Sequence, residues 1–309
     1  MQVYNLTAPI PETAQRAVVA IGNFDAIHRG HHALLEIARK RALDLGRPFG
    51  VLTFEPHPRR LFRPDDPPFR ITPLAVKLQR LEACKVDCTF VLNFDWDIAK
   101  LTATDFMQKI LRDKLQTSDL VVGADFHFGQ NRSGSIATLQ ENDFHCTIIG
   151  PVKDAQSAIY SATRIRGLIQ AGHIDEANAL LGWDWEIQGI VQKGDQRGRE
   201  LGYPTANVAL GETIHPAYGI YATRVKIPGE KDWRMAATNI GIRPMFATPT
   251  ALVESYILDF NGDLYDQTLR IRPVKKLRDE MKFESLDALK AQMAKDCEET
   301  FKILMHNPA

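Results

Sequence analysis

No stretch of this chain stays apolar for the roughly 18 residues that a membrane helix needs, and no basic-then-apolar segment opens it. Neither a membrane span nor a secretory leader is expected, and the cytoplasm is the expected compartment. Surplus charge is also lacking: Lys plus Arg and Asp plus Glu number 38 each. That balance excludes a global basic field for nucleic acid, while leaving individual ligand sites open. Cysteine is scarce, at positions 84, 88, 146 and 297 only. Cys84 and Cys88 could share a helix face, but the four form no zinc or redox pattern, so free thiols in a reducing compartment are expected. The dipeptide Gly-Lys never occurs, which rules out a Walker A loop. What is present is ordinary globular material: 309 residues, 44% hydrophobic and 25% charged, enough for about two domains.

The first half is organised around Gly22 to His32, GNFDAIHRGHH. Before it, Ala17 to Ile21 is a short apolar run that reads as a buried strand. After it, Leu34, Ile37, Ala38, Arg41, Ala42 and Leu45 keep near-helical spacing, and Gly46 is a natural stop. The stretch is thus a strand-to-helix crossover, the place where open parallel sheets bind ligands. Backbone N–H groups at a helix start favour an anion. Two imidazoles, His28 and His31, stand there three residues apart, and Gly30 lets a phosphate approach the backbone. Half of a zinc site is the other reading of His-x-x-His, but no cysteine is near enough to complete a familiar pattern.

Strand-like and helical stretches go on alternating. Phe49 to Phe54, Cys88 to Phe94, Asp119 to Gly123 and Cys146 to Val152 read as strands, and Thr104 caps a helix running to about Leu115. Glu55-Pro56-His57-Pro58 continues neither strand nor helix, and Arg63 to Pro73 reads as an ordered proline loop. This alternation indicates a mostly parallel α/β sheet. Gly123 to Gly134, GADFHFGQNRSG, follows a strand and is placed to wall a pocket beside the first crossover. Ser161-Ala162-Thr163-Arg164-Ile165-Arg166 opens a helix with two arginines where the dipole disfavours cations, which suggests a ligand's negative charge or a surface role.

The second half changes character. A helix from Ala171 to Leu181 ends near Gly182. Strands follow at Trp183 to Val191, Gly219 to Ile227, Trp233 to Ile240, Leu252 to Phe260 and Thr268 to Pro273, with no long helix between. This spacing predicts a small antiparallel barrel. After Ser285, Leu286, Leu289, Met293, Cys297 and Phe301 are spaced to cover it. The boundary is expected at residue 183, giving domains 1–182 and 183–309. Gly194 to Asn207 is dense in glycine and arginine and ends in Pro204-Thr205-Ala206-Asn207, the ingredients of a phosphate loop with oxygen donors for Mg²⁺.

GNFDAIHRGH resembles the signature of the nucleotidylyltransferase superfamily. Together with TFEPHP, GADFHFG-x-x-RSG and SATRIR, in that order, it resembles bacterial bifunctional riboflavin kinase/FMN adenylyltransferase, the FAD synthetase family. The second half joins through the Pro-Thr-Ala-Asn loop, Asn239-Ile240-Gly241-Ile242-Arg243-Pro244 and Glu254. The resemblance implies a Rossmann-like nucleotidylyltransferase domain followed by a riboflavin kinase barrel with a closing helix. It implies that riboflavin is phosphorylated by ATP to FMN and ADP, and that FMN is adenylylated to FAD with release of pyrophosphate. His28 and His31 would hold ATP phosphates, Arg164 would assist, and Gly22, Asn23, Phe24, Asp125, Ser161 and Thr163 would line the nucleotide. Phe54, Pro56, His57 and Phe62 would border the flavin. In the kinase half, Gly194, Arg197, Gly198 and Arg199 would bind nucleotide, Thr205 and Asn207 would hold Mg²⁺, and Glu254 would be the base. Four residues depart from the family pattern. Ala26-Ile27 stands where Gly-Val is usual, Ala162 replaces a Ser, Met245 a Thr and Asp266 a Gly. The alternatives are a riboflavin kinase with an inactive nucleotide-binding domain, and a flavin-sensing regulator. The oligomeric state is not legible.

Overall fold

The computed structural model describes residues 1–194, 202–243 and 250–306. The chain forms two compact units: Met1–Asp66 with Leu74–Ser161, and Pro67–Pro73 with Ala162 onward. Among the described residues no helix is long and apolar enough to cross a membrane. All four cysteines are free; Cys84 follows a helix and Cys88 lies on a strand, so the two share no helix face.

The first unit is a six-stranded parallel sheet. Its strands are β1 (Gln2–Asn5), β2 (Val18–Ile21), β3 (Phe49–Glu55), β4 (Cys88–Asn93), β5 (Asp119–Gly123) and β6 (His145–Ile149), in the order β1-β4-β3-β2-β5-β6. Parallel sheets are covered on both faces, so their central strands are apolar at every position. In β2, Val18 and Ala20 pack on one side with Leu34, Leu35 and Ala38 of α1 (Arg29–Leu45). Val19 and Ile21 pack on the other with Phe106, Met107 and Ile110. Helix α1 ends at Gly46, whose φ of 63° is the left-handed cap glycine accepts. Strand β1 was invisible to hydrophobic patterning because its residues are mostly exposed at a sheet edge. The expected helix to Leu115 is π-helical over Phe106–Lys114. Its entry is capped by Thr102 rather than Thr104: the Thr102 hydroxyl accepts from the Asp105 N–H at 3.0 Å.

The strand order reverses direction between β2 and β5. Chain connections leave β2 toward β3 and β4 on one side, and β5 and β6 lie on the other. The carboxyl ends of β2 and β5 therefore flank the crevice where such sheets bind ligands.

The second unit is a closed barrel with strand order β10-β11-β8-β7-β12-β9. The strands are β7 (Ile187–Gln192), β8 (Ala206–Ala209), β9 (Gly219–Lys226), β10 (Arg234–Arg243), β11 (Thr250–Ile257) and β12 (Thr268–Arg278). Strand β8 lies inside the stretch read from sequence as a loop; its four residues are too few to announce themselves. The helix expected to open at Ser161 is α4 (Ala162–Ala171), and the one expected from Ala171 starts later, as α5 (Ile174–Leu181), after Gly172 at φ 83°. Both belong to the second unit, α5 against β12.

The proline-rich segment 67–73 also belongs to it. Ile71 is fully buried and its carbonyl accepts from the Trp185 indole at 3.0 Å, while Arg166 Nε donates to the Phe69 carbonyl at 2.9 Å. The closing helix is α6 (Leu286–His306). Its buried residues are Asp296, Thr300 and Leu304; of the expected apolar stripe, Leu289, Met293 and Cys297 are half-buried and face the barrel, while Leu286 and Phe301 are exposed. Ionic ties decide the orientation. Arg278 of β12 grips Asp296 through two bonds of 3.0 and 2.7 Å, and Arg224 of β9 donates to the Leu304 carbonyl at 2.8 Å.

Candidate active sites

The turn between β2 and α1 is built from backbone that ordinary side chains avoid. Phe24, Ala26 and Ile27 have φ of 47°, 84° and 40°, and all three are buried. Such conformations persist only where the surroundings over-determine them. The Gly22 N–H donates to the Leu52 carbonyl, and the Thr53 hydroxyl donates to the Asn23 carbonyl at 3.1 Å. Asn23 itself is exposed.

His28 ends the turn as the cap of α1, its Nδ1 accepting from the His31 N–H at 3.2 Å. With Nδ1 engaged as an acceptor, Nε2 carries the ring proton and is the available donor. The His28 and His31 rings stack with centroids 3.9 Å apart and planes 11° apart. Gly30 makes room for them: a Cβ there would come within 3.0 Å of the His28 ring. Burial, and next the neighbouring His32, lower the His28 pKa to about 4. Burial, then His28, His32 and Lys77, hold His31 well below its ordinary value. Two stacked neutral imidazoles are compatible with each other where two imidazolium ions would repel. The buried His31 Nδ1 has no hydrogen-bond partner. Among the described residues, no group of three or more His, Cys, Asp or Glu could hold a metal ion.

At the end of β5, Phe128 and Gly134 exchange both backbone bonds, at 3.0 and 2.9 Å. A Cβ on Gly134 would lie 2.6 Å from the Phe128 ring, so glycine is needed for that closure. Asp125 lies exposed on this loop beside Gly123. Of the residues tied to flavin, Phe54 is the last but one of β3, Pro56 is half-buried, and His57 is buried as the cap of α2 (Pro58–Phe62). Phe54 meets Phe94 at 5.7 Å; Phe62 meets Phe94 at 6.0 Å and Trp96 at 5.7 Å. Phe62 and Trp96 are 57% and 52% exposed, so the cluster offers an open aromatic face. Phe94 and Trp96 escaped sequence reasoning, since nothing in their spacing joins them to Phe54. Ser161 and Thr163 flank the start of α4, and Arg164 is exposed in its first turn.

In the barrel, three polar side chains stand side by side. Asn207 on β8 is in register with Glu254 on β11, which is in register with Asn239 on β10. The amide oxygens of Asn207 and Asn239 are buried without a hydrogen-bond partner. Buried acceptors normally find donors, so two orphans flanking a carboxylate call for a ligand. Gly194 packs on Asn207, where a Cβ would meet the amide nitrogen at 2.7 Å.

This row and the half-buried Thr205 line a cavity of about 660 Å³. The rest of its lining is mixed: Tyr256, Phe260, Tyr265, Met281 and Phe283, with Leu289, Met293 and Cys297 from α6, form an apolar and aromatic part, and Asp263, Arg278, Glu280 and Asp296 a charged one. The size is that of a small-molecule site. Asn239 entered the sequence reading only within the Asn239 to Pro244 motif, without a site role, and the apolar wall was missing from the expected site, because their contributions come from distant strands and the last helix. Arg197, Gly198, Arg199, Pro244 and Met245 lie outside the described residues.

The family model described as FAD synthetase matches residues 10–163, and the one described as riboflavin kinase matches residues 181–304. A protein of Escherichia coli K12 named bifunctional riboflavin kinase/FMN adenylyltransferase is 40% identical, over 90% of each chain. One of the same name from Bacillus subtilis is 32% identical over 98% of each. Among solved structures, one described as a macrolide-efflux protein from Streptococcus pneumoniae covers all of both chains, with TM-score 0.85 and 31% identity.

Proposed function

The chain belongs to the bifunctional riboflavin kinase/FMN adenylyltransferase family, and from that premise we propose how its residues divide the work. The protein phosphorylates riboflavin with ATP and then adenylylates the FMN formed, giving FAD and pyrophosphate. We assign adenylyl transfer to residues 1–182 and phosphorylation to residues 183–309. The observation that carries the kinase assignment is the row Asn207, Glu254, Asn239 with its orphaned amide oxygens on the large cavity.

In the barrel, the apolar wall takes the flavin ring and the polar row faces its 5′-hydroxyl. Glu254 accepts the hydroxyl proton as the oxygen bonds to the γ-phosphorus of ATP and ADP departs. Thr205 and Asn207 are hard oxygen donors suited to Mg²⁺, and Gly194, Arg197, Gly198 and Arg199 are assigned to the nucleotide. Bound there, the ion would offset phosphate charge.

In the first unit, an FMN phosphate oxygen attacks the α-phosphorus of ATP, whose bond to pyrophosphate breaks. Neither step needs a covalent intermediate. His28 donates from Nε2 and, with His31, holds the phosphates as charge builds on the leaving group. Gly22, Asn23, Phe24, Asp125 and Ser161 of this unit are assigned to the nucleotide; for Thr163 and Arg164, which group with the second unit, the assignment to the nucleotide and its phosphates rests on the resemblance alone. Phe54, Pro56, His57 and Phe62 border the FMN ring. The cytoplasm is the proposed compartment.

Glu254→Gln keeps size and hydrogen bonding but removes the base. Riboflavin phosphorylation should fall on the order of 10²- to 10⁴-fold, while supplied FMN is still converted to FAD. A kinase rate within about threefold of the parent would remove Glu254 from the mechanism.

A further inference from the structure

Lys77 is the one buried lysine among the described residues, with no exposed surface at all. It sits on α3 (Leu74–Ala83), a helix to which the family signatures in the sequence drew no attention. An ammonium taken out of water is costly unless its charge and donors are met. Here Nζ donates to the Thr53 hydroxyl at 3.0 Å, with the Glu55 carboxylate 4.0 Å away. Thr53, itself fully buried on β3, passes its own hydrogen to the Asn23 carbonyl at 3.1 Å. The direction of the chain is fixed. The ammonium has no lone pair, so it must donate and the hydroxyl must donate onward.

We infer that Lys77 is a positioning residue for adenylyl transfer, holding the phosphate-facing turn in shape through Thr53. In a trans peptide, C=O and N–H point in opposite directions. Pinning the Asn23 carbonyl toward β3 therefore fixes the plane of the Asn23–Phe24 peptide and turns the Phe24 N–H the other way. Phe24 begins the run of left-handed backbone that delivers His28 to the start of α1. A turn with three such residues needs an external tie, and this chain supplies one from a neighbouring helix. The ammonium is also one of the charges that, after burial and the neighbouring histidines, hold His31 below its ordinary pKa.

The inference rests on the proposed adenylyl transfer, and the test separates the two. Lys77→Met and Thr53→Val each remove one link while keeping bulk. Each should lower kcat for FAD formation from FMN on the order of 10²-fold, with riboflavin phosphorylation unchanged. The double variant should be no worse than Lys77→Met alone, because both cut one chain. Thr53→Ser, which restores the hydroxyl, should recover the parental rate. FAD formation within about threefold of the parent in both single variants would overturn the inference. So would equal losses in phosphorylation, which would mark general destabilisation. If Lys77→Met does not fold, Thr53→Val decides alone.

Calorimetric binding of inorganic pyrophosphate to the same proteins needs no turnover. A parent that binds it yet makes no FAD contradicts the proposed function. Variants that bind it as tightly as the parent contradict the role of Lys77.

Discussion

Ala26 shows how a single side chain can sit badly and still be tolerated. It occupies a position where the family usually has glycine, and its φ is 84°. Left-handed backbone costs an L-residue roughly 1–2 kcal/mol. Against that, the fully buried methyl contributes about 0.8 kcal/mol. Replacing it with glycine would also loosen the unfolded chain by roughly 0.4–1 kcal/mol. These terms nearly cancel. Ala26→Gly should therefore leave the melting temperature within about 3 °C of the parent. Ala26→Val, which adds β-branching and bulk in the same buried place, should cost about 3 kcal/mol or more and cut FAD formation. A large loss with glycine, or none with valine, would show that the turn is not strained at this residue. Asp266, another departure from glycine, has φ 63° but is exposed, and aspartate tolerates this region better.

At the scale of elements, α1 depends on the protonation of its own cap. His28 can accept from the His31 N–H only while Nδ1 is unprotonated. Its pKa lies at about 4 in the folded protein, against about 6.5 for an exposed histidine. Between these values the unfolded chain binds more protons, so this stabilisation is complete above about pH 6.5 and is lost as pH falls toward 4. His31 is shifted in the same direction. Unfolding by urea should therefore need less denaturant at pH 5 than at pH 7. His28→Asn caps without titrating and should reduce that difference. An unchanged pH dependence in the variant would remove His28 as its source.

The elements also separate what sequence could reveal from what it could not. Strand β2 and helix α1 were legible because Ala17 to Ile21 is apolar throughout and Gly46 stops the helix. The role of segment 67–73 was not, and α6 was legible as the closing helix but not in the residues that anchor it. That role and that anchoring depend on Trp185 reaching the Ile71 carbonyl and on Arg278 reaching Asp296, pairings far apart along the chain. Strand β8 is four residues long, and only its partners β7 and β11 make it a strand.

Across the whole molecule, the candidate sites fall on two separately built scaffolds. The stacked histidines stand at the reversal point of a parallel sheet, and Glu254 stands on a closed barrel. Sequence revealed the histidines and Glu254 through local signatures. The barrel cavity, the place of Asn239 beside Glu254, and Lys77 needed the fold, because register and burial bring them into play.

The central claim is that two chemistries on one chain use separate residues. Product analysis of two variants, apart and mixed, tests it most directly, with riboflavin, ATP and Mg²⁺ supplied. His31→Ala should accumulate FMN without FAD, Glu254→Gln should yield almost neither, and the mixture should make FAD. FAD at the parental level from His31→Ala alone, or FMN but no FAD from the mixture, would contradict it.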